Sequence, residues 1–297
     1  MPSGRTRARW EDVDWRAHQR WIELDGTPVN VIELGPEHDD RLQPLVFVHG
    51  LSGSWPNWLE QLPVFARTHR VITLDLPGFG HSPMPRETIS ITGYAKLLDR
   101  LLDQLGVDAA AVIGNSMGGF IAAELAITSP SRVERLVLVS AAGLSTHEPR
   151  GSALGLPALR RAEGMLAAYT AWVAAHSDTV VRRARLRDLA LNAVVRHPER
   201  LSAPLAAEQL RGVGTPGFMQ GLEAILSYEI RERLPQIACP TLIVWGEHDR
   251  LVTVRDADLF AELIPNSRKV VFGDTGHVAM LERPDAFNGL LDEFLAE

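Results

Sequence analysis

The 297-residue chain is short of cysteine, of long apolar runs and of uncompensated positive charge, and each shortage removes a class of protein. A single cysteine, Cys239, excludes an intramolecular disulfide and a multi-cysteine zinc site. It precedes Pro240 and an apolar run, where a buried structural thiol is expected. No apolar stretch approaches the ~18 residues needed to span a bilayer, so no membrane association is expected. The first residues, MPSGRTRARWEDVDW, are charged and carry no apolar core of a signal peptide, so a cytoplasmic location is expected. With 30 Lys and Arg against 37 Asp and Glu, the net charge is −7. The charge excess that sequence-independent nucleic-acid binding needs is missing. One basic run, Arg182-Arg183-Ala184-Arg185-Leu186-Arg187, lies among Leu and Ala at helical spacing and reads as a solvated helix face. No internal repeat or low-complexity tract is found.

What is present is a 45% hydrophobic, 23% charged chain able to bury a sizeable core. Short apolar runs recur: PLVFV from Pro44, VITLDL from Val71, AAAVIG from Ala109, LVLVS from Leu136, TLIVW from Thr241 and KVVF from Lys269. They are continuous rather than alternating, as strands covered on both faces must be. Helical spacing fills the gaps, over Tyr94 to Leu105 and Phe120 to Ile127. Strand and helix in alternation imply an α/β fold with a mostly parallel sheet and helices on both faces. WIELDGTPVNVIEL from Trp21 reads as a hairpin around Asp25-Gly26, so the sheet begins antiparallel. From about Glu148 to Pro235 the strand rhythm stops, and Ala, Leu and Arg recur at helical spacing. The expected organisation is a core over 1–147 and 236–297, with a helical cap inserted at 148–235.

The stretch GNSMGG from Gly114 fits G-x-S-x-G between a strand and a helix, the setting of a nucleophile elbow. A serine there sits on a strained turn, and small neighbours let other backbone approach it. The hydroxyl of Ser116 needs a base. Of ten histidines, none at metal-ligand spacing, His277 follows the last apolar run on a short loop, GDTGH. Such loops at strand ends are where open α/β sheets build sites. His49 and His81 read as parts of turns, and His248 lacks an acid-bearing strand end before it. The base needs an acid to fix its tautomer. The strand end at Gly246 offers Asp249, with Glu247 as the alternative. Asp256 and Asp258 fall in the following helical stretch and are expected to face solvent. The backbone N–H groups of Met117 and of Leu51, in HGLSGS from His49, are the expected donors to an oxyanion.

VFVHGLSGS, DLPGFGHS, GNSMGG, WGEHDRLV and GHVAMLERPDAF, in that order, make the chain similar to the α/β-hydrolase superfamily. The resemblance covers most of the chain outside the cap. It implies Ser116 as nucleophile, Asp249 as acid, His277 as base, and Leu51 and Met117 at the oxyanion positions. No metal or organic cofactor is implied. GNSMGG is also similar to meta-cleavage-product hydrolases, which cut carbon–carbon bonds and share Asn115. Their oxyanion loop reads HGxGPG where this chain has HGLSGS, and a tryptophan stands where it has Val278. The expected substrate is a small carboxylic ester, lactone or thioester with an apolar acyl or alcohol part. Carbon–carbon hydrolysis, acyl transfer and non-catalytic ligand reception are the alternatives. A monomer or homodimer is expected. The pocket is expected from Gly50, Trp55, Asn115 and Val278, with Trp172 and Tyr228 from the cap. Trp58, Phe120, Tyr169, Phe218 and Met280 are further candidates, with core filling as the competing role.

Overall fold

Five of the six apolar runs become buried strands because their residues have no polar face to show water, whereas KVVF, expected to be covered on both faces, lies in the edge strand Ser267–Phe272 with Val271 38% exposed. A computed structural model describes residues 9–36, 43–145, 172, 173 and 175–297. The strands are β1 (Gln19–Leu24), β2 (Thr27–Leu34), β3 (Leu45–Val48), β4 (Val71–Leu74), β5 (Ala110–Asn115), β6 (Val133–Val139), β7 (Thr241–Gly246) and β8 (Ser267–Phe272). They form one sheet in the order β1-β2-β4-β3-β5-β6-β7-β8. β1 and β2 pair antiparallel, as do β2 and β4. From β4 through β3 to β8 every pairing is parallel. The hairpin turn has φ of 51° at Asp25 and 75° at Gly26, the left-handed pair that matches strand twist.

Strand side chains alternate between two apolar clusters, one on each face of the sheet. Val46, Val112, Leu138 and Trp245 join one cluster, while Phe47, Ile113, Val139 and Val244 join the other. The first is covered by α2 (Ile91–Gln104), α3 (Met117–Thr128) and α8 (Arg255–Leu263). The second is covered by α1 (Leu62–Phe65), α9 (Ala279–Glu282) and α10 (Pro284–Ala296). Ser90 starts α2 by accepting the Gly93 N–H at 3.1 Å. Trp58 is fully buried against Phe47 and Phe287, so it fills core and not a pocket.

Between β6 and β7 the described residues form α4 (Ser177–Arg182), α5 (Ala184–Leu191), α6 (Ala203–Arg211) and α7 (Phe218–Ser227). The start of the expected cap, and Tyr169 within it, lie outside the described residues. β3 stands between β4 and β5, so successive connections leave it in opposite directions. This is the switch point at which an open α/β sheet forms a crevice beyond its carboxyl ends.

Candidate active site

The loops after β3 and β5 meet at that crevice. Ser116 caps α3 with φ 54° and ψ −117°, a conformation that costs a non-glycine residue energy. The turn is held from both sides: the Ser116 N–H donates to Val139 O at 2.9 Å, and Ala142 N–H donates to Ser116 O at 3.1 Å. Glycine is required beside it by close approach of backbone. A Cβ on Gly118 would lie 2.2 Å from Val48 O, and one on Gly114 2.3 Å from Gly118 O. Gly50 reaches the same point from β3, where an added Cβ would stand 3.0 Å from Ser116 Cβ.

The loop after β7 presents Asp249 and the loop after β8 presents His277. Asp249 Oδ2 lies 2.7 Å from His277 Nδ1, and both side chains are buried. Oδ1 accepts the N–H groups of Leu251 at 2.9 Å and Val252 at 3.0 Å, which fixes the carboxylate's orientation. Glu247 is turned outward, its side chain 56% exposed, and it accepts the Asp274 N–H. With Nδ1 engaged by Asp249, the second ring nitrogen of His277 is left for a proton from elsewhere. Asn115 joins this loop to the elbow: its amide donates to Val139 O at 3.0 Å and to His277 O at 3.4 Å. The sequence suggested a pocket side chain there. The structure spends the Asn115 amide on backbone carbonyls, because a buried N–H group must find an acceptor.

Met117 N–H opens α3, where no earlier turn supplies an acceptor. Leu51 N–H lies in the Gly50–Gly53 turn, closed by Gly53 N–H to Gly50 O at 3.0 Å. Neither donates to an acceptor among the described residues. Above them lies α7. A Cβ on Gly221 would come within 2.8 Å of Leu51 Cδ1, 3.1 Å of Phe79 and 3.5 Å of Met117 Sδ. The wall facing this crevice is therefore apolar. Val278 is buried directly after His277.

Three expected pocket aromatics are placed elsewhere or carry other duties. Trp55 donates its N–H to Asp75 Oδ1 at 2.8 Å and rests its ring on Trp15, with centroids 4.9 Å apart. Trp172 is 48% exposed and stacks on His176, a surface placement. Tyr228 does lay its ring on Phe120, one turn after Ser116. Its hydroxyl, however, donates to the buried carboxylate of Glu124 at 2.7 Å, which Arg233 also contacts. Burial and that carboxylate push the Tyr228 pKa up to about 12.

Buried acids are what the sequence reading overlooked. Asp75, fully buried, accepts the N–H groups of Trp55 and His81 and the Asn30 amide. Burial alone would raise its pKa, but His81, His49 and Asn30 outweigh it and hold it below the usual carboxylate value. His49 accepts Leu76 N–H at Nε2 and faces Gly50 O with Nδ1, and burial lowers its pKa, so it pins the turn as a neutral ring. Asp256, expected to face solvent, is 1% exposed and accepts Ser145 N–H. Asp258 does face solvent, paired with Lys269. The available signal was a lone acid within an apolar run, at Asp75 in VITLDL and Glu124 in α3, since a buried charge demands partners. Among the described residues no cluster of His, Cys, Asp and Glu is arranged to hold a metal, and no helix is long and apolar enough to cross a membrane.

Known proteins are similar to this chain in sequence and in fold. The 2-hydroxymuconate semialdehyde hydrolase of Pseudomonas putida is 31% identical over 261 residues, covering 86% of this chain and 87% of that one. The dihydrolipoyllysine-residue acetyltransferase component of the acetoin cleaving system of Cupriavidus necator is 29% identical over 284 residues, 96% of this chain and 71% of that one. The solved enol-lactonase of Burkholderia xenovorans LB400 matches with a TM-score of 0.74 at 25% identity, over 94% of this chain and all of that one. Residues 43–284 match the description of the alpha/beta hydrolase fold family. A mostly parallel eight-stranded sheet with an antiparallel hairpin, and a match over most of the length, lead to one statement: this chain is an enzyme that belongs to the alpha/beta hydrolase fold family.

Proposed function

We propose that the protein is a serine hydrolase acting on a small carboxylic ester, lactone or thioester with an apolar moiety. The observation that carries this reading is the 2.7 Å contact between the buried Asp249 carboxylate and His277 Nδ1, on loops tied to the strained Ser116 elbow. In this reading His277 Nε2 takes the Ser116 proton as Oγ attacks the substrate carbonyl. The oxyanion receives the N–H groups of Leu51 and Met117, where fixed dipoles cost no reorganisation. Collapse breaks the bond to the leaving alcohol or thiol, which takes the proton back from His277. Water, deprotonated by His277, then attacks the acyl–serine, and as its C–O bond breaks His277 returns that proton to Ser116 Oγ, releasing the acid. The Asp249 carboxylate orients His277 and stabilises the imidazolium. Residues 148–235 act as a cap, and the apolar side chains of Leu51, Phe79, Met117 and Phe120 under it favour an apolar substrate part.

A second reading is hydrolysis of a carbon–carbon bond in a vinylogous diketone, which the likeness to a 2-hydroxymuconate semialdehyde hydrolase favours. HGLSGS and Val278 depart from that group's pattern, so ester-type cleavage is preferred. The test is turnover of p-nitrophenyl acyl esters of graded chain length, beside a ring-fission dienoate followed by its visible absorbance. Ester turnover that disappears in Ser116→Ala, with fluorophosphonate labelling of Ser116, supports the first reading. Dienoate cleavage with inert esters transfers the conclusion to the second. No labelling and no turnover of either defeats both.

A further inference from the structure

The inserted segment touches the loop of His277 directly. His277 N–H donates to Val194 O at 2.8 Å. Next to it, the Glu282 carboxylate bridges two backbones. Oε1 accepts the Gly276 N–H at 2.8 Å, and Oε2 accepts the Arg196 N–H at 2.9 Å. The approach is close enough that a Cβ on Gly276 would stand 2.8 Å from Arg196 N. Around this bridge lies a ring of charge. His197 Nε2 is 2.8 Å from Asp274 Oδ1, and its Nδ1 is 3.1 Å from Glu199. Arg196 and Arg200 reach Asp274 from the inserted segment, and Arg283 reaches it from α10's cap position.

We propose that Glu282 is a positioning residue: its carboxylate locks Val194–His197 of the cap onto Gly273–His277, so that His277 is in register only while the cap is seated. This rests on His277 being the base. A carboxylate suits the task because both oxygens accept, and two backbone N–H groups face them. Protonation would turn one oxygen into a donor aimed at a donor. Burial raises the pKa of Glu282 against the N–H groups of Gly276, Arg196 and His197, which favour the anion. The lock therefore loosens at a higher pH than an ordinary carboxylate would allow. The charged groups facing it are Arg196 and His197, with Glu199 and Arg200 behind, then Asp274 and Arg283.

The experiment compares wild type with Glu282→Gln, which keeps the shape but offers one acceptor and one donor. Expected is a fall in kcat of about 10-fold with KM within about 2-fold, since misplacement of a catalytic group acts on the chemical step. Protonation of Glu282 contributes to the acid limb of log kcat against pH in wild type; Glu282→Gln removes that contribution. Amide hydrogen exchange at Gly276 and Arg196 should speed up together. Should Glu282→Gln fail to fold, Asp274→Asn tests the same lock from the His197 side. Asp274 has φ 50°, which Asn adopts readily, and exchange at Arg196 and Gly276 should again rise. Unchanged exchange overturns the proposal. Faster exchange with wild-type kcat and an unchanged acid limb also overturns it, leaving Glu282 a purely structural link. Full turnover in His277→Ala would instead defeat the base assignment, while exchange still reads the lock.

Discussion

Two of the places where the described part of the helical insertion meets the sheet domain differ in kind. Over Leu51 and Met117 the contact is dry. Gly221 of α7 sits on Leu51, Phe79 and Met117 Sδ, and Gly217 N–H donates to Gly78 O at 2.9 Å. Over His277 the contact is ionic: Glu282, Asp274, His197 and three arginines. Apolar packing and an uncharged backbone hydrogen bond set the first grip, so salt leaves it in place. The second is made of exposed and half-exposed charges that salt screens and protons neutralise. The insertion is thus held through uncharged contacts above Leu51 and Met117 and through charged ones beside the His277 loop.

The largest expected effect lies at the Asp249–His277 pair. Asp249→Asn should lower kcat by about 10³ to 10⁴, as loss of the orienting carboxylate does in triads, measured on the best p-nitrophenyl ester. Next comes the dry grip. Gly221→Leu drives side-chain atoms into Leu51 and Phe79, and kcat/KM should fall about 100-fold. That loss should be the same at 0.05 and 0.5 M salt; a salt-dependent loss would break the contrast between the grips.

Raising salt to 0.5 M in wild type should reduce kcat about 2- to 3-fold with little change in KM, because exposed ion pairs are weak and screened. Asp274→Asn should remove most of that salt effect.

The dry side also has a pH signature, in stability rather than rate. Burial keeps the His49 pKa below 6.5. As pH falls through 6.5, the unfolded chain binds a proton that folded His49 refuses, so stability falls with pH from there down to the lowered folded value. His81, raised by Asp75, pulls the opposite way but is largely exposed. Urea midpoints between pH 5.5 and 7.5 should slope more gently in His49→Asn than in wild type. The smallest effect is at Glu247, whose exposed side chain faces away from His277. Glu247→Gln should keep kcat within about 2-fold, and a larger loss would return the acid role to it.

Much of the architecture is written locally. LVFV, VITL and TLIVW lack a polar face, so each can only be a covered strand, and each is one. Asp25-Gly26 dictates its own hairpin. A serine between glycines at a strand-to-helix junction announces the elbow, because few side chains tolerate that turn.

Other features had no local trace. Asp249 and Glu247 stand two residues apart on one loop, and only the packing of the His277 loop turns one inward and the other to water. Asn115 looks the same in sequence whether its amide meets a substrate or, as here, backbone carbonyls. Glu124, Asp75 and Glu282 find partners on distant segments, such as Arg233 and Arg196. From the sequence alone came the α/β class, the order of strands along the chain, the Ser116 elbow and the candidate chemistry, all functions of near neighbours. The tertiary structure decided which acid faces His277, where the aromatic rings lie, and how the insertion meets the His277 loop, because burial and pairing of charge depend on what the fold brings from far along the chain.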